Sequence, residues 1–233
     1  MTAQDHLAAV FAAAAGRAET VDRDQVRRDA VEGGLGIAAG LVGCSITERA
    51  GPDFRTRVFA RDLARALDQR QYDAGIGPCV AATQDGQRHI VDDVSVFARS
   101  NPRFATAAAA GGVLRVLSVP LTGRQESQSI NFYGSSSTPI RDPLTLARAN
   151  LLSRAVAIVD ADDRPTRIGE TPAVRAAALH RDLIEEARTV VMRRQRITKE
   201  DAFYWLVGQS RREKRSIFAT AQAVIQDAGS DSP

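Results

Sequence analysis

Aromatic residues make up only 5% of the 233-residue chain, which disfavours recognition through a sheet of stacking rings of the kind RNA-recognition motifs use. Cysteine is scarcer still. Cys44 and Cys79 form no CxxC pair, and the three scattered histidines complete no cluster at zinc spacing, so neither a metal nor a cofactor is expected. No apolar run approaches the length of a membrane span. The alanine-rich start from Met1 to Arg23 has Asp5 and His6 ahead of its apolar run and lacks a basic lead, so it reads as helix rather than as a signal peptide. These absences point to the cytoplasm, where both thiols stay reduced. Signatures of catalysis are missing too: there is no nucleophile elbow and no paired-carboxylate motif. Gly33-Gly34-Leu35-Gly36 lacks the lysine and hydroxyl of a phosphate loop and reads as a helix break. The expectation is a protein that is not an enzyme.

What the chain has is charge set apart by region. From Arg193 to Arg215 there are eight Lys/Arg against three Asp/Glu, a net +5 in a stretch too short to be a domain, while the whole chain is only +3. The basic clusters Arg193-Arg194-Gln195-Arg196 and Arg211-Arg212-Glu213-Lys214-Arg215 flank one amphipathic segment. Arg-rich helix faces are commonly just solvated, but clustering on this scale is a footprint for a polyanion.

A boundary falls at Asp160 to Pro172, where two prolines, a glycine and dense charge interrupt apolar periodicity on both sides. Residues 161–173 read as a linker. Ahead of it, Ala3 to Ala15, Asp22 to Glu32, Asp62 to Tyr72, Pro102 to Ala110 and Pro143 to Val159 have helical spacing. Val42 to Glu48 and Thr56 to Ala60 read as strands joined by a turn at Ala50-Gly51-Pro52-Asp53, and Arg88 to Val91, Val113 to Leu121 and Ser129 to Tyr133 as three more. Strands in hairpins with helices before, between and after predict an α+β domain built on an antiparallel sheet.

After the boundary everything reads as helix. Leu179, Leu183, Ile184, Ala187, Val190 and Val191 form one stripe; Ala202, Phe203, Leu206 and Val207 a second; Ile217, Ala221, Val224 and Ile225 a third. Thr198 caps the second helix, with Asp201 as the approximate reciprocal half of a capping box. Three short stripes close a small bundle whose core, over about fifty residues, is marginal without packing on the first domain or a second subunit.

The run Ile184-Glu185-Glu186-Ala187-Arg188, then Val191-Met192, Ile197 to Phe203, Leu206, Ser210, Arg215, Ile217 and Ala221 resembles an ANTAR domain, the RNA-binding module of transcription antitermination regulators. The resemblance covers Leu179 to Ile225. It departs at Arg188-Thr189, where the family usually shows Lys-Gly, at Lys214-Arg215-Ser216, where an Asn-Arg-Lys-like stretch is usual, and at Gln209, where an alanine is usual. Upstream, Asp68, Gln71, Tyr72, Gly75 and Gly77-Pro78-Cys79, followed by Asp92-Asp93, Pro102, Phe104 and the Val113 to Leu121 strand, resemble the GAF domain found ahead of ANTAR in many actinobacterial regulators. Asn101 stands where that family commonly has tryptophan.

The resemblances imply a GAF-like sensor over residues 5–160 with an antiparallel sheet and flanking helices, then an ANTAR-like three-helix bundle over 174–227. The implied partners are RNA hairpins in nascent transcripts, in tandem and with six-nucleotide loops, engaged by a homodimer, together with an unknown small-molecule ligand. Candidate RNA-binding residues are Arg188, Arg194, Arg211, Arg212, Lys214 and Arg215; Arg215 falls on the family's motif, while Arg194, Arg211 and Arg212 rest on charge alone. Tyr204 and Trp205 can stack on a base or pack inward. Asp68, Gln71, Tyr72 and Cys79 are candidates for a GAF ligand pocket, against a plain surface helix with one tyrosine tucked in. Cys79, after Gly-Pro at a helix start, has the alternative role of nucleophile or redox sensor, although no motif supplies an activating histidine and His89 is a poor substitute. The competing function is a small-molecule or redox sensor with a helical tail for DNA binding or oligomerisation.

Overall fold

The computed structural model describes residues 1–16, 21–121, 128–161 and 172–227, the side chains of 172–180 excepted. The chain divides into two compact units, Met1–Arg164 and Pro165–Pro233. Most of the segment read as a linker lies outside the described residues, as does the side chain of Leu179.

The first unit is mixed α and β. Its helices are α1 (Ala3–Ala14), α2 (Arg23–Gly34), α3 (Asp62–Ala74), α4 (Pro78–Asp85), α5 (Pro102–Ala110) and α6 (Pro143–Ala161). Its strands are β1 (Leu41–Ala50), β2 (Asp53–Ala60), β3 (His89–Val91), β4 (Arg115–Pro120) and β5 (Gln128–Gly134), with a 3-10 turn at Val94–Phe97. They form one five-stranded sheet in the order β2-β1-β5-β4-β3, antiparallel throughout. The expected hairpin is the β1–β2 connection, where Ala50 pairs Asp53.

Alternation along the strands sorts residues between two covered faces. Cys44, Ile46, Ile130 and Phe132 face α1, α2 and α6, where Gly34 of α2 comes so near Cys44 and Phe132 that a Cβ would clash at 2.8 Å. Across α2 and α6, the Arg27 guanidinium donates to the buried Asp160 carboxylate from Nε and Nη2. Ser45, Thr47, Ser129, Asn131 and Tyr133 point the other way, beneath α3 and α4. That second face carries an apolar cluster of Ala64, Leu67, Phe104, Val113, Val116 and Tyr133.

The second unit consists of α7 (Pro172–Gln195), α8 (Lys199–Arg212) and α9 (Ile217–Asp227). Its core joins Leu183, Ala187, Val190 and Val191 to Ala202 and Leu206 and to Phe218, Ala221, Val224 and Ile225. Thr198 caps α8 by accepting from the Asp201 amide at 3.1 Å. The reciprocal bond differs from the expected box, because Asp201 accepts from the Thr198 hydroxyl at 2.8 Å rather than from its amide. Phe203, expected in the α8 stripe, is 38% exposed: it follows Ala202 by one residue, hence by 100°, and leaves the core side.

Candidate nucleic-acid interface

The turn that ends α8 gathers four of the expected cations. Arg211 and Arg212 occupy its last turn, where positive charge complements the helix C-terminus. Beyond it the Lys214 amide donates to Arg211 O and the Arg215 amide to Ser210 O, at 3.3 and 3.1 Å, the pair of bonds that defines a Schellman ending. Lys214 sits at the left-handed position with φ +50°, a place that glycine usually fills. Arg196, just after α7, has φ +52°. Both helix exits thus put a cation where the backbone would favour glycine. Arg212 forks onto the Gln209 carbonyl oxygen at 2.6 and 3.2 Å, and Arg215 pairs with Glu213 at 2.7 Å while remaining half-exposed.

Arg194 and Arg215 share a groove of about 200 Å³ between the three helices, with Trp205, Gln195, Gln209 and Glu213 also on its wall. Arg194 donates to the Asp227 carbonyl at 3.0 Å. Tyr204 is 72% exposed, so of the two aromatic side chains weighed for stacking it is the one that turns outward, and inward packing does not hold for it. Trp205 is half-buried along the groove.

Arg188 lies apart, at the other end of α8, which at 14 residues spans about 20 Å. Its guanidinium donates to the Lys199 carbonyl at 2.9 and 3.2 Å, bonds Glu185, and stacks over Phe203. Lys199, at 2.9 Å, and then Arg188 hold the Glu185 carboxyl below its usual range. The structure therefore brings Arg194, Arg211, Arg212, Lys214 and Arg215 to the α8 end and its groove, and places Arg188 in the α7–α8 junction.

In the first unit, the four candidates for a ligand pocket are part of one hydrogen-bond chain. Gly77 (φ +154°) has no Cβ to block the Gln71 amide, which would meet one at 2.2 Å. Gln71 Oε1 thereby accepts from the Cys79 amide at 3.0 Å, at the start of α4, while its Nε2 donates to the Tyr133 hydroxyl at 2.9 Å. Tyr133 donates in turn to the Asp68 carboxylate, whose other oxygen accepts from Thr56 at 2.9 Å. Tyr72 links Thr56 to Thr47 at 3.1 and 2.8 Å, and Asn131 continues from Thr47 to Ser129 and Thr83.

Asp68 is fully buried, and loss of water pushes its carboxyl up to about 6, against the hydroxyls of Tyr133, Ser45, Thr56 and Tyr72 that favour the charged form. Burial, with the Asp68 charge second, raises the Tyr72 phenol. Asp68 and Gln71 are thus interior groups, not members of a surface helix. Burial also pushes the Cys79 thiol well up, with Asp68 again second, and it is 0% exposed. That is the opposite of what a nucleophile or redox sensor requires.

Sequence reasoning missed Thr47, Thr56, Asn131 and Tyr133. Their only signal was polar alternation along strands, which equally describes a solvated sheet face. Asn101, which stands where the upstream resemblance has tryptophan, is 2% exposed, with Nδ2 donating to the Arg70 and Ile76 carbonyls at 2.9 Å and Oδ1 capping Phe104.

Among the described residues no group of His, Cys, Asp and Glu is arranged to hold a metal, and no helix is long and apolar enough to cross a membrane. Comparison with curated proteins finds no match. Residues 173–225 match the ANTAR domain family, which supports the resemblance read from the helical residues and points to RNA-binding antitermination regulation.

Proposed function

We propose that the chain is a cytoplasmic transcription antitermination regulator in which residues 174–227 hold RNA hairpins of nascent transcripts and residues 5–160 form a GAF-like domain that senses a signal. The observation that carries this reading is the ANTAR match over three helices whose α8 exit collects Arg211, Arg212, Lys214 and Arg215. Cations on a turn neutralise phosphates and release condensed counterions, while a guanidinium also forks toward or stacks on an exposed base. A hairpin held in this way is withheld from a competing terminator. The small helical core favours a homodimer, since the bundle gains stability from a second copy. Support for sensing comes from the buried Asp68–Tyr133–Gln71 chain, an interior of polar groups that a small ligand can rearrange.

The test is to sequence RNA that copurifies with the full chain. The proposal predicts enrichment of stem-loops lying ahead of terminators. Recovery of duplex DNA instead, or of RNA with no common structure, contradicts it.

A further inference from the structure

The groove beside α8 has a chemistry that phosphate neutralisation leaves unused. Its volume of about 200 Å³ is below the ~300–1,000 Å³ of clefts that enclose drug-sized ligands, so it suits one planar ring system. Trp205, the only tryptophan in the chain, lines it. Gln195, the last residue of α7 and exposed, and Gln209 of α8 add two side-chain amides to the same wall. An amide presents one acceptor and two donors, the set that pairs with the edge of a nucleobase. Arg194 and Arg215 stand on the wall as well, and Arg215 is held by Glu213 at 2.7 Å.

We infer that this groove seats a single unpaired nucleobase from an RNA loop. The base lies against the Trp205 indole and its edge is read by the exposed Gln195, while Gln209 is held by Arg212 and Glu213 and the adjoining phosphate takes the place of Glu213 on Arg215. An aromatic surface with flanking guanidiniums is the combination that binds unstacked bases. The wall carries two cations, Arg194 and Arg215, and two acids, Glu213 and Asp227, so it is the forked guanidiniums and not a net charge that favour a base attached to phosphate over an aromatic side chain from a protein. The inference rests on the RNA-binding reading and adds to it a subsite that reads loop sequence.

The single tryptophan makes the test direct in the full-length protein. A labelled RNA stem with a six-nucleotide loop, and the same stem as a blunt RNA duplex, are titrated while RNA anisotropy and Trp205 emission are followed together. The stem-loop is expected to quench Trp205 about two-fold, saturating with the anisotropy, and the blunt duplex to leave emission unchanged. Gln195→Ala is expected to weaken stem-loop binding ~5-fold and Trp205→Phe ~3-fold, with duplex affinity and helical circular dichroism preserved. Full stem-loop affinity with silent Trp205 emission, quenching of equal size by the duplex, or unchanged affinity in Gln195→Ala overturns the subsite while leaving RNA binding intact. Failure of the protein to bind any stem-loop overturns both.

Discussion

The guanidinium of Arg188 lies 5.6 Å from the ring centre of Phe203, while its Nε and Nη2 donate to the carbonyl that opens α8. One side chain thus fastens α7 to the first turn of α8, and that changes what its removal should do. Arg188→Ala is expected to destabilise the helical unit by about 1–2 kcal/mol, from a cation–π contact and a charge-assisted fork lost together. Arg188→Lys should recover part of this, since lysine keeps the charge and loses the planar fork. Trp205 emission during urea unfolding reports on this unit, and an unchanged midpoint for Arg188→Ala would refute the structural role.

Arg215 should behave in the opposite way. Its pairing with Glu213 joins a half-exposed cation to a partly exposed carboxylate, and pairs of that kind contribute little to folding. Arg215→Ala is expected to shift stability by less than about 0.5 kcal/mol. Hairpin affinity should fall, and the slope of log affinity against log salt should become shallower by about one. Affinity and slope equal to the parent protein would exclude it from the RNA face.

Lys214 tests whether backbone strain is kept in order to place charge. At φ +50° a non-glycine residue costs roughly 1–2 kcal/mol, partly offset in Lys214→Gly by the freer unfolded chain. The substitution is expected to stabilise the unit by about 0.5–1 kcal/mol and to weaken hairpin binding at the same time. Looser folding, or tighter RNA binding, contradicts this account.

Asp68 gives a pH signature. Its folded-state value of about 6 lies above that of an exposed carboxyl near 3.9, so between the two the native state holds a proton that the unfolded chain has released. Stability from burying the neutral acid is full below about pH 4 and is lost as pH rises through about 6, on the order of 3 kcal/mol in all. Asp68→Asn removes this titration. The stability difference, parent minus variant, should therefore shrink from pH 4 to pH 7 in urea unfolding, whereas a difference that stays constant would show that Asp68 does not titrate in this range.

Much of the architecture was legible because it depends on local rules. The Gly-Pro turn between Ala50 and Asp53 sets the first hairpin, and the three-and-four spacing of Leu183, Ala187, Val190 and Val191 sets the long helix of the second unit. What stayed hidden depends on what covers a face. Ser45, Thr47, Ser129 and Asn131 alternate with Ile46, Ile130 and Phe132 as an exposed sheet would, yet α3 and α4 bury them. The helix Pro78–Asp85 was read only as a start at Cys79, since its early residues are apolar on every side and show no stripe. At the candidate interface the sequence located the cations. It did not separate Arg188, fixed within the fold, from Arg215, which borders a groove, because that distinction comes from how three helices meet.

The central claim is that the α8 exit grips RNA through phosphate charge and loop structure. The most direct measurement compares the affinity of the full chain for an RNA stem-loop and for a duplex DNA of equal length across a range of salt concentrations. The account predicts tighter binding to the stem-loop at every salt and a log–log slope of about −3 to −4, as for four or five neutralised phosphates. Equal or tighter binding to DNA, or a flat response to salt, would contradict it.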